Sequence, residues 1–215
     1  EISACLVGSE MCIRDRVEAT GRKFFSALVD VTSPESTLHF AADVAVDLPP
    51  VVALVNNAGI YPWKSFADTD YALWRKVLGV NLDGAFLMSK AFIPGMVERK
   101  LGRIVNVASS TLWLNVPDMS AYIASKGGVI GLTRALASEF GASGITANVI
   151  APGLTNTKSM RGTNEEIFEF LPKLQAIPRT LEPSDLVGVV SFLCSPDSAF
   201  VTGQTIVADG GQARL

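Results

Sequence analysis

A chain of 215 residues has room for one domain of ordinary size, and its 48% apolar and 18% charged content places it among globular proteins rather than disordered or fibrous ones. With 18 basic against 21 acidic residues, net charge −3 and no basic block, it has no electrostatic footprint for nucleic acid or anionic lipid. No run reaches the ~18 uninterrupted apolar residues of a membrane span. The three cysteines lack a Cys-x-x-Cys pair and His39 is the only histidine, which excludes a disulfide framework, a metal site and Ser-His-Asp chemistry.

Residues 1–16 stand apart. Leu6 to Asp15 back-translates codon by codon to CTC GTG GGC TCG GAG ATG TGT ATA AGA GAC. That string resembles a transposase adapter used in preparing sequencing libraries, so the segment is read as non-native and set aside from the fold. The alternative is a genuine strand, Ala4 to Gly8, followed by a turn.

From Val17 to the end the pattern is that of a single α/β domain. Phe24–Val31, Val51–Val55, Gly102–Val107 and Ile145–Ile150 are short apolar runs rich in β-branched residues and closed by polar or Gly/Pro punctuation, which predicts buried strands. Between them Pro34–Val46, Asp70–Arg99 with an interruption near Asn81, Tyr122–Phe140 and Pro183–Leu193 read as helices. His39 falls inside the first of these. A last strand, Thr205–Ala208, is closed by Asp209-Gly210-Gly211. Strands separated by helices imply βαβ crossovers and a doubly wound parallel sheet with helices on both faces.

Ligands of such sheets bind at the carboxyl ends of the strands. Those positions hold Asp30-Val31-Thr32, Asn56-Asn57-Ala58-Gly59, Ala108-Ser109-Ser110 and Ala151-Pro152-Gly153. Taken singly each reads as a turn or cap; together they form a constellation. Tyr122 and Lys126 add its chemistry. Four residues apart at the start of a helix, they share one face and set a phenol beside an ammonium. A nearby cation lowers a tyrosine pKa from about 10 toward the range of a general acid/base, so the spacing supplies a proton donor without histidine. Ser109, at the end of a neighbouring strand, is placed to hydrogen-bond the same substrate oxygen.

Asn56-Asn57-Ala58-Gly59, Asn81 within Val80-Asn81-Leu82-Asp83-Gly84, Ser109, Tyr122-Ile123-Ala124-Ser125-Lys126, and Pro152-Gly153 with Thr157 together resemble the classical short-chain dehydrogenase/reductases, in that family's order and spacing. The resemblance implies that Tyr122 is the acid/base on the substrate oxygen, that Lys126 lowers its pKa and holds the nicotinamide ribose, and that Ser109 polarises the carbonyl, with Ser110 the fallback. It implies that Asn81 anchors a water linking Lys126 to solvent. Asp30 and Val31 should meet the adenine, Asn57, Ala58 and Gly59 the adenosine side, and Pro152, Gly153, Thr155 and Thr157 the nicotinamide carboxamide. The nucleotide performs hydride chemistry between a secondary alcohol and a ketone.

The chain departs from the family in one respect: no Thr-Gly-x-x-x-Gly-x-Gly turn, which binds pyrophosphate, precedes Val17. The first βαβ unit is read as missing, the reading frame as truncated, and nucleotide binding by this chain as weak or absent. The acidic marker of cofactor choice goes with that unit; NAD is preferred from Asp30, with NADP open. Tyr61-Pro62-Trp63, Leu112-Trp113-Leu114 and a lid at 158–174 suggest an apolar pocket. With Leu174-Gln175-Ala176-Ile177-Pro178-Arg179, the carboxyl half is similar to the branch acting on aryl secondary alcohols such as 1-phenylethanol. A 3-oxoacyl carrier-protein reductase using NADPH and a non-catalytic binding protein are the alternatives. The resemblance further implies a cytoplasmic homo-oligomer, dimer or tetramer, joined through the helices at 70–99 and 122–140. There Gly127, Gly128 and Gly131 cost helix stability unless close packing offsets them.

Overall fold

The computed structural model describes the backbone of residues 7–157, 160 and 165–214. Among these, four parallel strands lie side by side in chain order, β1 (Ala53–Asn56), β2 (Gly102–Val107), β3 (Ile145–Pro152) and β4 (Thr205–Ala208). The helices are α1 (Val7–Glu18), α2 (Pro34–Asp47), α3 (Tyr71–Leu78), α4 (Gly84–Arg99), α5 (Ser120–Phe140), α6 (Glu165–Phe170) and α7 (Pro183–Cys194).

The central strands are apolar almost throughout because both of their faces are covered, and successive side chains serve opposite faces. Ile104 packs with Leu54, Ile93, Met96, Leu136 and Ile145 beneath α4 and α5. Its neighbour Val105 packs with Ile150 and Leu193 beneath α7. The helix starts follow from local chemistry. Ser33 caps α2 by accepting from the Ser36 N–H, with Pro34 at the first position. Asp70 caps α3 through the Leu73 N–H at 2.7 Å. At α7, Glu182 and Asp185 form a reciprocal box and Arg179 grips Asp185 with two bonds of 2.6 and 2.8 Å, holding that carboxyl down at about 2.

Polar residues inside the sheet fix its register. Asn56 on β1 donates to Asn106 Oδ1 on β2 at 2.8 Å and to Ser89 on α4 at 3.2 Å, and Asn106 donates to Thr133 on α5 at 2.8 Å. Asn106 and Thr133 are fully buried. One substitution, Asn106→Leu, keeps the branched shape but removes one partner each from half-buried Asn56 and buried Thr133. It is expected to lower unfolding free energy in urea by about 2 kcal/mol; an unchanged midpoint would show that the network contributes nothing.

One expectation is corrected, one alternative is set aside and one reading is refined. Phe24–Val31 is not a strand: no ladder bonds form there, and Leu28 is 79% exposed. An apolar run becomes a strand only where a neighbour offers a ladder, and here the segment is held instead by ring contacts of Phe25 on Phe40 and Phe40 on Phe92. Val7 and Gly8 begin a helix rather than finishing a strand, while Ala4 to Leu6 lie outside the described residues. The interruption near Asn81 is a continuous π-helical turn, Gly79–Asp83, joining α3 to α4. Of the expected lid, residues 158–159 and 161–164 lie outside the described residues; α6 and a 3₁₀ turn, Leu171–Leu174, make up its second half. Among the described residues no helix is long and apolar enough to cross a membrane, and no cluster of His, Cys, Asp and Glu is arranged to hold a metal.

Candidate active site

The carboxyl ends of β1 and β2, the π turn and the first turns of α5 meet at one place. Lys126 is 4% exposed, and its ammonium donates to the Val107 carbonyl at the end of β2, 2.7 Å away. Its Nζ lies 5.7 Å from the centre of the Tyr122 ring. The two side chains share a face, as their i, i+4 spacing requires.

Asn81 ties the site together. Its side-chain oxygen accepts from the Ile60 N–H at 2.8 Å, and its amide donates to the Ile60 carbonyl and to Ser125 Oγ, each at 2.9 Å. Ser125 in turn donates to the Tyr122 carbonyl at 2.7 Å. The π turn supplies the extra residue that brings Asn81 to face this corner, a recurrent use of such turns. Asn81 is 2% exposed and both N–H groups of its amide are engaged by protein, so the side chain acts as a clamp on the loop after β1 and on α5. No reading of the sequence singled out Ser125. Its signal was there: a small hydroxyl three residues after Tyr122, on the same helical face.

Ser109 is in place beside Tyr122. It caps the 3₁₀ turn Ser110–Trp113, accepts from the Thr111 N–H and hydroxyl at 3.3 and 3.0 Å, and makes a side-chain hydrogen bond with Tyr122. Ser110, the fallback, is buried inside that turn, whereas Ser109 caps it on the side of Tyr122.

The electrostatics differ from what the spacing suggested. Burial raises the Tyr122 pKa above its ordinary 10 and outweighs the lowering by the Ser109 bond, while the neighbouring Tyr61 phenol pushes it further up. Lys126 is brought down to about 8, also by burial. The amine thus does not set the phenol's pKa in this state: desolvation acts on both partners, in opposite directions, because it disfavours whichever form is charged. At neutral pH the phenol keeps its proton.

The predicted nucleotide residues are distributed around this centre. Gly59 sits directly on it: a Cβ there would come 3.3 Å from Asn81 Oδ1 and 3.5 Å from Lys126 Nζ, so a bare backbone keeps the corner open. Asn57 and Ala58 are exposed just before it. Asp30 is exposed and folded onto its own loop, accepting from the Thr32 N–H and hydroxyl at 2.9 and 2.7 Å, which lowers its pKa. Val31 packs against Gly84, where a Cβ would lie 3.0 Å from Val31 Cγ2. Pro152 ends the neighbouring β3 and Gly153 follows it, against Asp209. Thr155 donates to the Gly153 carbonyl at 3.1 Å and Thr157 closes back on Thr155 at 2.9 Å. The open backbone at Gly59 and the buried amine beside it fit a nucleotide ribose, and the exposed 57–59 turn fits the adenosine side.

Comparison with known proteins places this arrangement. The family model described as Enoyl-(Acyl carrier protein) reductase matches residues 6–213. Galactitol 2-dehydrogenase (L-tagatose-forming) of Cereibacter sphaeroides is 42% identical over 86% of this chain and 74% of its own length. The (2S)-[(R)-hydroxy(phenyl)methyl]succinyl-CoA dehydrogenase subunit BbsD of Thauera aromatica is 36% identical over 93% of this chain and 80% of its own. The crystal structure of a gluconate 5-dehydrogenase from Burkholderia cenocepacia in complex with NADP and tartrate superposes with a TM-score of 0.87 at 30% identity, covering 94% of this chain and 80% of that one. A parallel sheet with helices on both faces and this corner of side chains define a nicotinamide-nucleotide oxidoreductase scaffold. The chain belongs to the classical short-chain dehydrogenase/reductase family.

Proposed function

We propose that this chain interconverts an apolar, aryl-bearing secondary alcohol and its ketone, with Tyr122 as the group that gives and takes the proton on oxygen. The observation that carries this reading is a half-buried, protonated phenol beside Ser109 and the buried amine of Lys126. A ketone oxygen seated between the Tyr122 and Ser109 hydroxyls accepts from both, and Tyr122 then hands its proton over as charge builds on that oxygen. Lys126 and the 57–59 turn would hold the nucleotide, with Pro152 and the residues after β3 up to Thr157 flanking it. When bound, the nucleotide supplies the hydride. Asn81 and Ser125 hold the phenol's helix at a fixed distance from the loop after β1. The aryl preference draws on the aromatic groups bordering the site, Tyr61 and Trp113, and on likeness to a dehydrogenase whose name carries a hydroxy(phenyl)methyl group. The description of the matching family keeps a carrier-protein thioester as the second reading.

A panel of acetophenone, butan-2-one and acetoacetyl-CoA, each with saturating NADH and NADPH, separates the readings. Acetophenone is expected to be turned over with the highest kcat/KM. Reduction of acetoacetyl-CoA alone would replace the aryl reading by the thioester one.

We also place a homo-oligomer contact on α3 to α5, where Tyr71 is 76% and Phe86 45% exposed. Gly127 and Gly128 are accounted for within the chain by Leu112 and Leu82, whereas Gly131 faces open space, the position at which a second helix fits closely.

A further inference from the structure

After β3 the chain turns outward at Thr155 and comes back against it at Leu181, the two forming an isolated parallel bridge. Asn156 fastens this crossing twice. Its N–H donates to the Leu181 carbonyl at 2.8 Å, and its side-chain amide donates to Glu182 Oε1 at 2.7 Å. Glu182 is itself held in place: its N–H donates to Asp185 Oδ2 at 2.9 Å, and Arg179 grips that same carboxyl. Thr155 Oγ1 donates to the Gly153 carbonyl and the Thr157 N–H to the Thr155 carbonyl, which stiffens the loop from within. Leu181 is buried, with Cδ2 3.8 Å from the point a Gly153 Cβ would occupy. The backbone from Gly153 to Thr157 is thereby tied to the start of α7.

We propose that Asn156 and Glu182 are a positioning pair for the nucleotide, their bond holding the loop after β3 in the conformation that receives it. The inference rests on the nucleotide-dependent reductase reading above and deepens it. Neither side chain touches the nucleotide in this role; both act through the backbone of residues 153–157. Three features support it. Ile150 on β3 lies opposite Val107, whose carbonyl takes the Lys126 ammonium, so the loop begins just beyond the level of that amine, at the end of the sheet where ligands bind. An amide donating to a carboxylate is charge-assisted and roughly twice as strong as a neutral pair, and both partners are half-buried. A loop already ordered against a capped helix start loses little freedom when a ligand arrives, so the bond acts on affinity through preorganisation.

The test is a charge swap. Asn156→Asp sets two carboxylates against each other, whereas Asn156→Asp with Glu182→Gln again puts a donor before an acceptor, the roles exchanged. In Asn156→Asp the dissociation constant for NADH or NADPH, read from the fluorescence of the reduced nucleotide, and its KM are expected to rise about tenfold. kcat and the KM for the ketone should change less than about twofold, and the swapped pair should return to within about threefold of the wild type. Asn156→Ala, which removes the bond without adding charge, should fall between and decides the matter if the Asp variant does not fold. A readout without nucleotide is amide hydrogen exchange: peptides covering residues 153–157 should exchange about tenfold faster in Asn156→Asp and slow again in the swapped pair. Unchanged nucleotide affinity in the single variants, a swapped pair no better than Asn156→Asp, or a loss in kcat with KM unmoved overturns the proposal and leaves the reductase reading intact. A wild type that binds neither nucleotide overturns that reading and this one with it.

Discussion

Tyr122→Phe is expected to lower kcat for ketone reduction by roughly 10³-fold, within the range attributed to a positioned general acid, while unfolding free energy changes by less than about 1 kcal/mol. The two effects separate because Ser109, the phenol's partner among the described residues, keeps its own bonds from Thr111, whereas the ring remains packed above the Lys126 amine. KM for the ketone should rise only severalfold, since Ser109 still donates to the carbonyl. The pH profile carries the sign of the mechanism. Burial holds the Tyr122 pKa above 10, so the proton needed for reduction is present throughout the neutral range and reduction falls only as pH rises through that raised value. Alcohol oxidation needs the phenolate and should climb over the same interval. Steady-state rates in both directions from pH 6 to 11 check this; a reduction rate that rises with pH, or a Phe variant with near-native kcat, would remove Tyr122 from the chemistry.

Much of this was legible because spacing and periodicity are local. The strands at Gly102–Val107 and Thr205–Ala208 coincide with their apolar runs, and the i, i+4 placement of Tyr122 and Lys126 needs nothing beyond helix geometry. What escaped was set by distant partners. Phe24–Val31 has the composition of a strand, but a strand is a property of a pair, and the sequence of one member does not say whether the other lies beside it. The same holds for pKa. Four residues separate an amine from a phenol in any such helix, yet whether the cation or the surrounding apolar matter governs the phenol depends on depth, which Val107, Ser109 and Tyr61 decide from other elements. Asn81 was found for its place in a motif. Its clamping of Ile60 and Ser125 could be seen only once the π turn had brought residues 21 and 44 positions away against it.

Lys126→Met should make the protein more stable and less active at once. Burial brings the Lys126 pKa from 10.5 to about 8, so the folded state holds its charged form at a cost of about 3 kcal/mol at neutral pH. The group is 4% exposed, so solvent offers little relief. Between pH 8 and 10.5 the unfolded chain binds the extra proton, and linkage then makes wild-type stability rise with pH across that window; below it the full penalty is present, and above it none. Tyr122 acts in the opposite sense, because its raised pKa lets the unfolded state lose its proton first, but only above pH 10. Measurements from pH 7 to 10 therefore isolate the lysine. Methionine fills the same channel without charge. It forfeits the bond to the Val107 carbonyl, worth about 1 kcal/mol, and leaves a net gain of about 2 kcal/mol at pH 7, or roughly 5 °C in Tm for a domain of this size. Its stability should be flat where the wild type's rises, and ketone reduction should fall at least about 10²-fold as the ribose-binding amine is lost. A variant less stable than wild type at pH 7, or a wild type whose stability does not rise between pH 8 and 10, would show that the amine is solvated at little cost and that its burial does not strain the fold.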